Sequence, residues 1–150
     1  MLENDEFDEF DDVYRASCDG DFKTVKDLLE NTKDKKEFLD TSLIWSSAYG
    51  HLEIVKFLFE NGAISSHGSM WWAASRGHLE VVRFLLKNGE NIVEHLESAL
   101  VCASACGHLE VVKFLVETGA DIRLGIDGAA WWASENGHLD IVKYLESLDL

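Results

Sequence analysis

The sequence predicts an all-α solenoid of five stacked helix-turn-helix units, and three observations carry that expectation. The string Gly-His-Leu-Glu/Asp-Ile/Val-Val-Lys/Arg-Phe/Tyr-Leu stands at Gly50–Leu58, Gly77–Leu85, Gly107–Leu115 and Gly137–Leu145, with a fainter copy from Gly20. Within each copy the apolar residues two, five and eight positions past the glycine, Leu52, Val55 and Leu58 in the second, share one helical face. The chain has no proline, so nothing in it forbids a helix. One such helix pair cannot hide its own apolar face, and stacking must do so.

The chain opens on seven acids among its first dozen residues, interrupted by Phe7, Phe10 and Val13 at amphipathic spacing, and leads into the first unit, about residues 8–38. This suits either a capping helix or a short acidic-aromatic recognition tail. GDFKTVKDLLEN follows, keeping Gly20, Phe22, Val25, Leu28 and Leu29 but having Asp21 where the other copies have His. The second unit, about 39–66, places SLIWSSAY before Gly50. Small residues four and three positions before each glycine (Ser46 and Ser47 here) let neighbouring helices approach closely. The third, about 67–96, follows a 27-residue glycine spacing where the others have 30, and the deletion lies between Gly62 and Met70, which marks a loop there. Its helix pair is expected to stack in register all the same. The fourth, about 97–126, and the fifth, about 127–150, repeat the pattern. In the fifth, Glu146 stands where earlier units have Leu29, Phe59, Leu86 and Val116, so that unit is expected to cap the array, with Glu146 exposed and Phe59 and Leu86 mostly buried. Glu53 with Lys56, Glu80 with Arg83, Glu110 with Lys113 and Asp140 with Lys143 are i,i+3 pairs on the polar side. Asn61-Gly62, Asn88-Gly89 and Thr118-Gly119 are expected to end outer helices on a left-handed glycine.

The 150 residues, 47% hydrophobic and 11% aromatic, suffice for one domain with a sizeable core. A net charge of −15 repels phosphate backbones and anionic headgroups, so nucleic acid and membrane are poor partners, and a basic protein surface is a better one. No apolar run approaches a membrane span, and MLENDEFDEFDD lacks the basic-then-apolar order expected of a signal peptide. Cys18, Cys102 and Cys106 are too few and too irregular for a disulfide framework, which fits a reducing compartment.

The consensus A-A/S-x-x-G-H-L-E-V-V-K-F-L-x-x-x-G-A-D-I resembles the ankyrin repeat over residues 8 to 147, closely in four copies and faintly in the first. The Thr-Pro-Leu-His usual in that family is replaced by Thr41-Ser42-Leu43-Ile44, Gly68-Ser69-Met70-Trp71, Ser98-Ala99-Leu100-Val101 and Gly128-Ala129-Ala130-Trp131. The shorter period is similar to that of the ankyrin arrays of giant DNA viruses of amoebae, and its missing residues argue against full hairpin fingers. The resemblance implies a non-catalytic module that binds a protein through its concave inner-helix and loop surface, with no cofactor. It further implies a monomer in the cytoplasm, the host's if the source is viral.

On that surface the variable residues are the candidates. Five before the glycine come Trp45, Trp72, Cys102 and Trp132; one before it come Tyr49, Arg76, Cys106 and Asn136. From these, Trp45, Tyr49, Trp72, Arg76, Cys106, Trp132 and Asn136 are taken as the protein-binding set, since aromatic residues and Arg dominate interface anchors. Adjacent Trp71-Trp72 and Trp131-Trp132 point about 100° apart, so one register is expected between repeats and the other on the inner surface. His51, His78, His108 and His138 recur once per unit, too far apart to share a metal, and are read as part of the turn. Two other readings stay open: a metal-binding or cysteine-dependent enzyme using Cys102, Cys106 and a histidine (His95 or His108), and self-association through the Trp surface. No hydrolase, metalloprotease or phosphate-loop motif supports catalysis.

Overall fold

The computed structural model describes residues 9–64, 67–89, 93–118 and 123–148. Among them run ten helices and no strand: α1 (Glu9–Asp19), α2 (Phe22–Asn31), α3 (Lys35–Ala48), α4 (Leu52–Glu60), α5 (His67–Ser75), α6 (Leu79–Asn88), α7 (Val93–Ala105), α8 (Leu109–Glu117), α9 (Arg123–Glu135) and α10 (Leu139–Glu146). Odd-numbered helices stack on one another to form an inner row, and even-numbered ones form a looser outer row. Each outer helix carries an apolar stripe toward the inner row, as Val81, Val82 and Leu85 do in α6, and a charged outer face. No helix among the described residues is long and apolar enough to cross a membrane.

Every unit turns the same way. The inner helix ends on a glycine in the left-handed region, at φ from +74° to +83° for Gly20, Gly50, Gly77, Gly107 and Gly137. The amide of the next residue then reaches back five residues to a helix carbonyl, as His51 N does to Ser46 O at 2.9 Å, which is the Schellman closure. That next residue is also the N-cap of the outer helix. In the first unit it is Asp21, whose carboxylate accepts from Thr24 N at 3.1 Å and Thr24 Oγ1 at 2.7 Å. In the other four it is a histidine with no side-chain cap, because the imidazole is used elsewhere.

Its use is to join the units. Nε2 of His51, His78, His108 and His138 donates to the carbonyls of Cys18, Ala48, Ser75 and Ala105 in the unit before, at 2.7, 3.0, 2.8 and 3.1 Å. Each ring thereby lies over the preceding glycine. A Cβ on Gly20, Gly50, Gly77 or Gly107 would come within 2.5 to 2.6 Å of an imidazole atom, whereas one on Gly137 meets nothing within 4 Å. Glycine is thus required twice at each interior turn, for its backbone and for its missing side chain.

The core follows the small-residue register. Ser17, Ser47, Ala74 and Ser104 are wholly buried between inner helices, and their fifth-unit counterpart Ser134 is exposed. Glu146 is exposed, Leu86 is buried and Phe59 is half-buried, its ring edge-on to Phe84 at 5.2 Å. The glycine-ended outer helices need correction. Gly62 is left-handed at φ +94°, but Gly89 is extended at φ −83°, ψ 147°, and closes α6 with a single bond from its N–H to Leu85 O. Gly119, with the acids and Phe7 of residues 1–8, lies outside the described residues. Among the described residues α5 has 9 residues against 14 in α3 and 13 in α7. The third unit still stacks, with the His78 bond to Ala48 in place.

Candidate functional site: an aromatic and arginine cluster on the inner helices

The inner row places side chains that lie one and five residues before each turn glycine along a single surface. Helix α3 carries Trp45 and ends at Tyr49; α5 carries Trp72, with Arg76 immediately past its end. The Arg76 guanidinium lies 4.4 Å above the centre of the Tyr49 ring and 5.2 Å from that of Trp72. The Trp45 and Trp72 rings are 6.1 Å apart, tilted by 33°. Tyr49 is also parallel to the His51 ring at 6.5 Å. Tyr49 is 39% exposed, Arg76 is exposed, and the two Trp residues are half-buried. Four of the seven expected residues thus meet in one cluster spanning the second and third units.

The other three do not join it. Trp132 packs edge-on against Trp131 at 4.7 Å and is 45% exposed. Asn136 is exposed, and its side-chain amide donates to Trp132 O at 2.8 Å, which makes it a helix-end cap. Cys106 is exposed on its own turn. The two Trp registers are not divided as expected either. Trp71 and Trp72 are edge-on to each other at 4.7 Å and both half-buried, whereas Trp131 and Trp132 are both exposed, having no further pair beside them among the described residues.

Two members of the cluster escaped the sequence reading. Tyr14 meets Trp45 edge-on at 4.8 Å, although it belongs to the register six before the glycine and Trp45 to the register five before. Cys18 is their half-buried neighbour, its thiol coupled electrostatically to the phenols of Tyr14 and Tyr49. Burial pushes the Cys18 thiol up from its ordinary value, and the neighbouring phenols only partly offset it. The available signal was Arg15 in the first unit's Trp position, a departure that left the aromatic duty to its neighbour.

For catalysis the side chains offer little. Burial and then the neighbouring Cys106 charge hold the Cys102 thiol above its usual range, opposite to the shift that activates a nucleophile. Among the described residues no group of three or more His, Cys, Asp or Glu is placed to hold a metal ion. The repeated histidines are committed to inter-unit carbonyls.

A family model described as "Ankyrin repeats (3 copies)" matches residues 13–95 and again 70–149, together most of the chain. No curated protein matches the sequence significantly.

Proposed function

Because the chain belongs to the ankyrin-repeat family, whose repeats generally mediate protein interactions, we propose that it is a non-catalytic module binding a protein partner through its inner-helix surface. The observation that carries this is the Tyr49–Arg76–Trp72 cluster. It joins the residue types that dominate interface energetics, it is open to solvent, and it is held by contacts between two units. The charge of −15 supports a partner with a net basic surface, drawn in by long-range attraction, while the cluster supplies the short-range anchor. The chain acts as a monomer in this reading, in a cytoplasmic setting. A source among the giant DNA viruses, and with it a host cytoplasm, is supported by the glycine spacing of mostly 30 residues and the missing Thr-Pro-Leu-His.

The test is affinity capture with the full chain as bait, followed by mass spectrometry. A partner retained by the chain and lost from a Tyr49→Ala/Arg76→Ala bait is expected. Enrichment that is identical on both baits moves binding away from this cluster.

A second reading, self-association through the end of the array, has its own support. Trp131, Trp132 and Leu139 are 54%, 45% and 61% exposed, and Ser134 is open where its counterparts are wholly buried. Light scattering at two concentrations decides it: a mass that rises with concentration favours self-association, and a constant monomer mass removes it.

A further inference from the structure

We infer that the Arg76 guanidinium is a prepared receptor for a single carboxylate, so that the partner's anchor is an acidic group beside an apolar or aromatic one. This rests on the reading of the inner-helix surface as the binding face and adds the chemistry recognised there.

A guanidinium carries five N–H donors in one plane. The Arg76 guanidinium carbon lies 4.4 Å from the centre of the Tyr49 ring and 5.2 Å from that of Trp72, so two π-systems hold it. The in-plane donors have no acceptor among the described residues: Arg76 takes part in no hydrogen bond and no ion pair there. Arg83, the other arginine set against an aromatic ring, makes the comparison. Arg83 also lies over a ring, that of Phe114 at 4.2 Å, but it keeps Glu80 within 3.5 Å as a carboxylate partner. In a chain where acids outnumber bases 28 to 13, the guanidinium set against two aromatic rings is left without one.

A guanidinium held against two rings has part of its rotamer freedom restricted already, so less is lost when a ligand engages both edge donors. The matching ligand is planar and accepts two parallel hydrogen bonds, which a carboxylate does. The chain's negative field sets the charge: repulsion grows with the ligand's charge, so a monoanionic carboxylate is favoured over a phosphate dianion. Trp72 beside the fork, with the Trp45 ring 6.1 Å from it, supplies the apolar floor for the group that carries it.

The experiment uses the full chain, NMR of the Arg76 Nε–H and the Trp72 indole N–H, and three probes: 3-phenylpropionate, its neutral amide 3-phenylpropionamide, and inorganic phosphate. The propionate is expected to shift both resonances saturably, with the amide and phosphate each binding about tenfold more weakly, the worth of one charge-assisted hydrogen bond. Arg76→Lys, which keeps the charge and loses the fork, is expected to weaken the propionate by a similar factor with thermal stability unchanged. Equal binding of acid and amide, phosphate binding tighter than the propionate, or full affinity in Arg76→Lys each overturns the inference. So does silence from all three probes. If partner capture by the parent chain still depends on Tyr49 and Arg76 in that case, the binding face stands and only the carboxylate falls; if capture is lost from that face too, both fall together.

Discussion

At the residue scale the glycine and histidine of neighbouring units form a single device. The imidazole occupies the space where a glycine Cβ would stand, and Nε2 closes the carbonyl left open by the Schellman turn. Gly77→Ala and Gly137→Ala separate its two parts. Both force alanine into the left-handed region, at φ +77° and +80°, which costs about 1 to 2 kcal/mol. Only Gly77→Ala also drives a methyl to within 2.5 Å of His108, so urea denaturation is expected to find it the more destabilised by about a further 1 kcal/mol or more. Equal losses would show that the imidazole moves aside without cost. His78 adds a dependence on pH. Burial lowers its pKa below the ordinary 6.5, against the opposing effect of its bond to Ala48. The unfolded chain therefore binds the proton more readily than the folded one. The stability this contributes is complete above pH 6.5 and is lost as pH falls from there through the folded value. Denaturation midpoints at pH 7.5 and 5.5 are expected to differ less in His78→Gln than in the parent; an unchanged difference would sink this assignment.

At the element scale the close approach of inner helices rests on small residues whose hydroxyls are not alike. Ser17 Oγ and Ser42 Oγ share a buried bond of 2.8 Å between α1 and α3, whereas the Ser46, Ser47 and Ser104 hydroxyls are buried without a partner among the described residues. Ser17→Ala is expected to cost about 1 to 3 kcal/mol by stranding Ser42, and Ser104→Ala to be neutral or stabilising by up to about 1 kcal/mol. Thermal melts of the pair check this, and a destabilised Ser104→Ala variant would reveal a partner for its hydroxyl. The sequence made the helix pairing legible because the glycine turn and the outer apolar stripe recur with fixed spacing. What it hid depends on contacts between units. The deletion before Met70 is legible as a shorter segment, but the His78 bond that keeps the third unit stacked across it is not. The meeting of Tyr14 with Trp45 crosses two registers, which no single-unit pattern records. Gly89 has the same Asn-Gly spelling as Gly62 and a different conformation, so the dipeptide alone does not set it.

At the scale of the whole molecule, the fold and the proposed binding draw on different positions of one repeat. The wholly buried small residues and the His-to-carbonyl bonds hold the stack, while the positions just before the glycine vary freely and carry Tyr49 and Arg76 to the surface. That division of labour is the central claim, and the Tyr49→Ala/Arg76→Ala variant tests it most directly. Its thermal stability and its affinity for the captured partner are measured side by side. The account predicts a stability within about 0.5 kcal/mol of the parent, as for surface changes, together with a loss of about 2 kcal/mol or more in binding, as for interface anchors. A variant that unfolds, or one that binds as tightly as the parent, contradicts it.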